Sequence, residues 1–164
     1  MDKIITISRE YGAGGHSIGQ QVAKELGIPF YDRDILKATV QTSGFDPDMV
    51  EHDQEDVSST NFFFKSICSF ADASFSDTQD AIHDVQKAVI LHFAKEGPCV
   101  ILGRCGDYVL RERKDVLRVF IYAPVEWRRE LAKTDPLVKA HDEKGIKEEI
   151  EKTDRNRAAY YNYY

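Results

Sequence analysis

The segment that most restricts the fold of this chain lies at its start: Ile4-Ile5-Thr6-Ile7-Ser8-Arg9-Glu10-Tyr11-Gly12-Ala13-Gly14-Gly15-His16-Ser17. An apolar run of strand length ends in a glycine-rich loop. Helical spacing follows from Ser17 to Leu26, with Ile18, Val22, Ala23 and Leu26 on one face. A strand that enters a helix through a glycine turn aims backbone N–H groups and a helix N-terminus at one point, and phosphate fits such a point. The competing reading is a turn that needs glycine only so that strand and helix can pack closely. Against the P-loop pattern GxxxxGK[ST], Arg9 stands at the first glycine and Gly14 at the second. Gly15 replaces the lysine, and His16 is inserted before Ser17. Arg9 and His16 are the nearest cations to the missing lysine, and Arg9 keeps its charge at every relevant pH.

The rest of the chain alternates between strand and helix signals. Gly27 stops the first helix, with Pro29 just beyond. Phe30-Tyr31 is a minimal strand, and a helix is predicted from Asp32, its possible N-cap, to Thr42. Residues 43–78 read as a helical insertion: an acidic stretch from Asp46 to Asp56, then a face rich in Phe62, Phe63, Phe64, Phe70 and Phe75. Such a face must pack on the core or on a second copy of the chain, which makes 62–75 a candidate homodimer contact. A long helix is predicted from Thr78 to Glu96, ended by Gly97-Pro98. Cys99 to Leu102 is continuously apolar, as in a parallel strand buried on both faces. Val116 to Ala123 is another strand. Pro124 opens a helix carrying Trp127, Arg128 and Arg129, and a last helix runs from Lys144 to the end. The alternation predicts an α/β fold with a mostly parallel sheet in a single domain, with ligands at the carboxyl ends of the strands.

Composition removes several classes. The net charge of -6 argues against duplex nucleic acid as a partner, though one basic pocket could still hold a small polyanion. Three cysteines without CxxC spacing do not make a disulfide framework or zinc ribbon, and suit buried thiols in a cytoplasmic protein. No apolar run has membrane-span length, and the first residues lack the pattern of a secretory signal.

Taken together, ISREYGAGGHSIG, GIPFYDRDIL, VILGRCGDYVL, VFIYAP with its following arginines, and EKTDRNRAAYYNYY resemble the cytidylate kinase-like family of P-loop proteins. The resemblance covers nearly the whole chain, in order. It implies a nucleoside monophosphate kinase-like fold: a P-loop NTPase-type parallel sheet flanked by helices, with a lid-like helical segment at 144–164. It implies phosphoryl transfer from ATP with Mg²⁺ to a nucleoside monophosphate, CMP or dCMP first. It also implies a further strand and helix after Tyr164. Gly15-His16-Ser17 can then be read against the K-G-T triplet of some nucleotide kinases, and the lysine is absent in that register too.

The resemblance gives each segment a role. The backbone of Gly12, Ala13, Gly14, Gly15, His16 and Ser17 would cradle the donor phosphates. The Ser17 hydroxyl would touch Mg²⁺, unless it caps the first helix instead. Asp32, Arg33 and Asp34 lead toward the acceptor nucleotide; plain helix capping explains the acids equally well. Arg104 follows a buried strand through Gly103 and resembles the arginine that holds the acceptor phosphate. Asp107 can orient Arg104, read a base, or simply be a solvated acid. Leu102 stands where P-loop enzymes often place a metal-orienting acid. Asp154, Arg155 and Arg157 match the arginine-bearing lid, with Asp154 and Arg157 spaced to pair on one helix face; a solvated charged face is the alternative. Of Arg128 and Arg129, one could reach phosphates or adenine. A phosphate nucleophile is already ionised, so no general base is required. Two other functions stay open: a nucleotide-binding protein without efficient catalysis, and an interaction protein that keeps only the fold. The missing lysine and the missing strand-end acid favour the former; the phenylalanines and the tyrosine tail favour the latter.

Overall fold

The computed structural model describes residues 3–32, 78–134 and 142–164. The expected helix after Asp32, the insertion, its 62–75 phenylalanine face, Arg33 and Asp34 all lie outside the described residues. Four strands are described: β1 (Ile4–Arg9), β2 (Phe30–Tyr31), β3 (Val100–Leu102) and β4 (Val116–Ile121). With them come α1 (Gly15–Leu26), α2 (Thr78–Glu96), α3 (Gly106–Val109), α4 (Val125–Thr134) and α5 (Glu143–Tyr163). The sheet is wholly parallel, in the order β2-β3-β1-β4. The glycine-rich loop therefore leaves a central strand and emerges at the carboxyl edge.

The period of two along the central strands explains the layers. Ile4, Cys99 and Ile101 join Val89, Ile90 and Ala94 of α2 and Val109 and Leu110 in one buried cluster. Ile5, Ile7, Val100 and Leu102 join Ala23 of α1 in another, with Val22, Phe30 and Val119 packed against it. Each face of the sheet is thus covered by a helix, and β1 and β3 are buried at successive positions for that reason, Thr6 being the one polar residue among Ile4 to Ile7. β4 is the outer strand, and its Leu117 and Phe120 are exposed.

Helix α1 departs from the expected packing stripe. Its buried residues are Gly15, Gly19 and Ala23, whereas Ile18 and Leu26 are exposed. The cause is close approach: a Cβ on Gly19 would stand 2.8 Å from Cε2 of Phe30 and 3.2 Å from Cδ1 of Ile7. Small residues every four positions bring the helix axis down onto the sheet, and larger side chains are turned outward. α1 ends as predicted, on Gly27 at φ 65. A third cluster joins Ala132 of α4 to Ile146 and Ile150 of α5, with Tyr11 packed against it. α5 begins at Asp142, whose carboxylate accepts from the N–H of Gly145.

Candidate functional site

The glycine-rich loop bends through Gly12 at φ 72 and Gly14 at φ 77. Gly14 is the N-cap of α1, with no side-chain cap bond, so Ser17 does not cap the helix. Ser17 lies exposed in the first turn instead. The first intrahelical bond runs from the Ile18 N–H to the Gly14 carbonyl. The N–H groups of Gly15, His16 and Ser17 precede it and lead the helix toward the carboxyl edge of the sheet. Ala13 is buried under the turn and donates its N–H to the Glu10 carbonyl at 3.3 Å.

Arg9, the last residue of β1, crosses this turn. A Cβ on Gly15 would stand 2.9 Å from Cβ and 2.8 Å from Cγ of Arg9. A Cβ on Gly103, itself at φ 75, would strike the Nη1 end of the same side chain. Arg9 is therefore threaded between two glycines, one at each end of its reach. Gly15 is the position that the P-loop pattern gives to lysine, and the arginine fills the space a side chain there would need. His16 lies elsewhere: its Nε2 is 3.6 Å from Oδ2 of Asp32, and its ring meets the Phe30 ring edge-on at 5.3 Å.

A cavity of about 620 Å³ opens at the carboxyl ends of β1, β3 and β4, closed on one side by α5. Arg9, Arg104, Asp107, Arg118, Asp154 and Arg157 all line it. Arg104 and Cys105 follow β3 in left-handed backbone conformation, at φ 57 and 52. Each costs roughly 1–3 kcal/mol, a strain that accumulates at functional turns. Among the described residues the Arg104 side chain makes no hydrogen bond or ion pair. A guanidinium at the mouth of an α/β sheet, held by a strained turn and offering all its donors, is suited to a phosphate or carboxylate.

The cavity floor is fixed by α3. Oδ2 of Asp107 accepts from the Tyr161 hydroxyl at 2.8 Å, and this bond pushes the Tyr161 phenol up to about 12. Arg118 donates to the carbonyls of Leu110 at 2.8 Å and Asp107 at 3.3 Å. The Asp107 carboxylate is thus held by Tyr161 rather than paired with Arg104.

Helix α5 divides its charged residues. Arg157 lines the cavity, donates to the Arg9 carbonyl at 3.3 Å and lies 5.6 Å from the centre of the Tyr11 ring. Arg155 is 72% exposed, 4.0 Å from Glu151 on its own helix, and is not among the residues lining the cavity. Asp154 does not pair with Arg157 as its spacing suggested. Its Oδ1 accepts from the Tyr11 N–H at 2.7 Å, and its Oδ2 takes Nη1 of Arg128 at 2.6 Å. Arg128 is only 8% exposed and donates also to the Tyr11 carbonyl at 3.1 Å. Removing one partner of such a pair strands a buried charge, at a cost of about 3–5 kcal/mol. Arg129 stays at the surface beside Glu143.

Among the described residues no three His, Cys, Asp or Glu side chains gather to hold a metal ion. None of the described helices is long and apolar enough to cross a membrane.

The sequence model of the cytidylate kinase-like family matches residues 4–164. The chain belongs to the cytidylate kinase-like family. No curated protein matches it. Among solved structures, an uncharacterized protein from Eubacterium ventriosum aligns with a TM-score of 0.66 and 23% identity, over 99% of this chain and 77% of that one. A shikimate kinase from Acinetobacter baumannii, solved with shikimate, aligns with a TM-score of 0.47 and 15% identity, over 98% of this chain and 80% of that one. The parallel sheet flanked by helices is the P-loop kinase-like α/β fold, and family membership supports a nucleotide kinase-type function.

Of the residues singled out by sequence, the fold of this cytidylate kinase-like protein brings Arg9, Arg104, Asp107, Asp154 and Arg157 to one cavity. It puts Gly12 to Ser17 on the adjoining turn, and it turns Arg155 to solvent. Sequence reasoning missed Arg118, which sits among the apolar residues of β4 and reads locally as an outward-facing charge. It also missed Tyr161, whose partner Asp107 is 54 residues away.

Proposed function

We propose that this protein transfers the terminal phosphoryl group of ATP to a nucleoside monophosphate, with CMP and dCMP as the leading acceptors. The observation that carries the proposal is the cavity at the carboxyl edge of the sheet. It gathers Arg9, Arg104, Arg118 and Arg157 in a chain whose net charge is -6. Arg118 is committed to backbone carbonyls on the floor, while the guanidinium groups of Arg9, Arg104 and Arg157 around one opening are matched to phosphate oxygens, and phosphoryl transfer needs mainly positioning and charge stabilisation.

In this reading the turn from Gly12 to Ser17 binds the donor phosphates through backbone N–H groups. Arg9, running over Gly15, supplies the cation that lysine supplies elsewhere. Arg104 holds the acceptor phosphate, and Asp32, Arg33, Asp107 and Asp154 are proposed to bound the acceptor nucleoside. Arg157 neutralises charge on the equatorial oxygens, while exposed Arg155 would have to swing inward to join it. Magnesium takes oxygen ligands and travels with nucleotide phosphates. The Ser17 hydroxyl, exposed in the first turn of α1, is a fitting oxygen donor for it. Bound there, the ion neutralises phosphate charge. Leu102 offers no carboxylate at the end of β3, and Ser17 is the oxygen donor that the described residues place beside the turn.

The second reading is nucleotide binding without efficient turnover. It is favoured by two observations, the glycine at the lysine position and Leu102 in place of an acid at the end of β3. ADP release from Mg-ATP, dependent on one nucleoside monophosphate, supports the kinase. ATP binding without acceptor-dependent release supports the alternative.

A further inference from the structure

The loop between β1 and α1 is gripped from outside at every residue before its glycines. The Arg9 carbonyl accepts from Arg157 of α5 at 3.3 Å. The Glu10 carboxylate accepts from the Ala123 N–H at 3.2 Å and lies 3.5 Å from Nε of Arg128. The Tyr11 N–H goes to Asp154 and its carbonyl to Arg128, while its hydroxyl donates to Glu149 of α5 at 2.6 Å. The Arg128 carbonyl stands 3.2 Å from where a Cβ on Gly12 would be. The loop's own turn contributes one bond of this kind, from Ala13 to Glu10.

At the centre is one buried guanidinium. Arg128 donates to the Tyr11 carbonyl and to the carboxylate of Asp154, which itself accepts from the Tyr11 N–H. Both Asp154 oxygens are thereby committed. With one oxygen paired to a buried guanidinium and the other on a backbone N–H, the carboxylate is already oriented by the protein itself. Asp154 holds the Glu10–Tyr11 peptide by its N–H and Arg128 holds the Tyr11–Gly12 peptide by its carbonyl, so the pair together sets the direction from which the chain enters the turn.

We infer that Asp154 and Arg128 are positioning residues: their ion pair clamps the Tyr11 peptide, sets the glycine turn for phosphate, and makes α5 and the turn one mechanical unit. The inference refines the kinase reading, moves Asp154 from acceptor contact to support of the donor site, and rests on that reading for its kinetic consequence. Arg157 and Asp154 are one turn apart on α5 and hold two nearby backbone groups, the Arg9 carbonyl and the Tyr11 N–H. Any displacement of α5 therefore moves the cavity arginine and the phosphate turn together.

The test compares the wild-type chain with Asp154→Asn and Arg128→Lys, by steady-state kinetics with Mg-ATP and CMP and by hydrogen exchange of the backbone amides. Asp154→Asn keeps an oxygen for the Tyr11 N–H but loses the charge facing Arg128. The expected result is a fall in kcat of about 100-fold, as for an ångström-scale misplacement, with the CMP KM within about twofold. Amide protection should drop at residues 11–15 and persist in β3. A rise in CMP KM with kcat retained would make Asp154 an acceptor contact and overturn the inference. So would unchanged kinetics. If Asp154→Asn does not fold, Arg128→Lys, which keeps the charge and loses the fork, carries the same expectations at smaller amplitude. If the wild-type chain turns over no nucleotide, the kinase reading fails on its own, and hydrogen exchange decides the clamp alone. Loss of protection confined to 11–15 then supports it, and unchanged protection there refutes it.

Discussion

Restoring the lysine that the P-loop pattern calls for should damage this protein. Gly15 occupies that position, and its missing Cβ would stand 2.9 Å from Cβ and 2.8 Å from Cγ of Arg9. The first of those atoms moves only with the backbone of β1, which is hydrogen-bonded on both sides. Overpacking of this kind costs about 1–3 kcal/mol, and the immobility of Cβ places Gly15→Ala in the upper part of that range. Alanine returns up to about 1 kcal/mol of helix propensity. The net loss is about 1–2 kcal/mol, or roughly 2–8 °C in Tm for a chain of this size. Gly15→Lys should lose at least as much and should displace Arg9, so acceptor-dependent ADP release should fall, not rise. The double variant Arg9→Gly, Gly15→Ala should regain most of the lost stability without regaining turnover, because the clash is gone and so is the cation. Thermal melts followed by circular dichroism, with the ADP-release assay on the same preparations, measure both effects. A Gly15→Ala variant that melts at or above wild type, or a Gly15→Lys variant with higher turnover, would refute the claim that Arg9 fills the lysine's place.

Arg104→Met should raise the KM for CMP about tenfold or more, the worth of a charge-assisted contact, and leave ATP affinity by calorimetry within about threefold; equal losses for both ligands would remove the acceptor role. Arg157→Ala should lower kcat about 100-fold with little change in ATP affinity, whereas Arg155→Ala, at an exposed pair, should change neither by more than about twofold. Cys99 is 1% exposed, and burial, opposed by Arg113, pushes its thiol from 9.0 up to about 11. It should react with thiol reagents only on unfolding. Between those two values the folded chain holds a proton that the unfolded chain releases, so stability is complete below about pH 9 and declines toward about 11. Urea midpoints across that range should fall more steeply for wild type than for Cys99→Ala, and equal slopes would contradict the shift.

How much of this was legible in the sequence depended on the range of the interaction. The strand at Ile4, the glycine loop, the helix at Thr78 to Glu96 and the buried run ending at Leu102 are local patterns, and all four appear at the expected places. The packing face of α1 was misread because hydrophobic periodicity weights Ile18 and Leu26. The distance of closest approach to the sheet selected Gly15, Gly19 and Ala23 instead. The Arg104 position followed from its place after a buried strand, which topology alone sends to the carboxyl edge. The pairing of Asp154 did not follow. A helix offers Arg157 three residues away, but the buried partner is Arg128, 26 residues away on another helix. A tertiary ion pair of that separation leaves no periodic trace. The same holds for Tyr161 on Asp107, which ties the tyrosine tail to the cavity floor.

The central claim, that the arginine-lined cavity transfers phosphoryl groups between nucleotides, is tested most directly by one assay. The protein is incubated with Mg-ATP and each of CMP, dCMP, UMP, AMP and GMP, and ADP formation is followed alongside a calorimetric titration of ATP. ADP formation that depends on a monophosphate, with CMP or dCMP foremost, is the predicted result. ATP binding with no acceptor-dependent ADP would contradict transfer, and an absence of ATP binding would contradict the phosphate site itself.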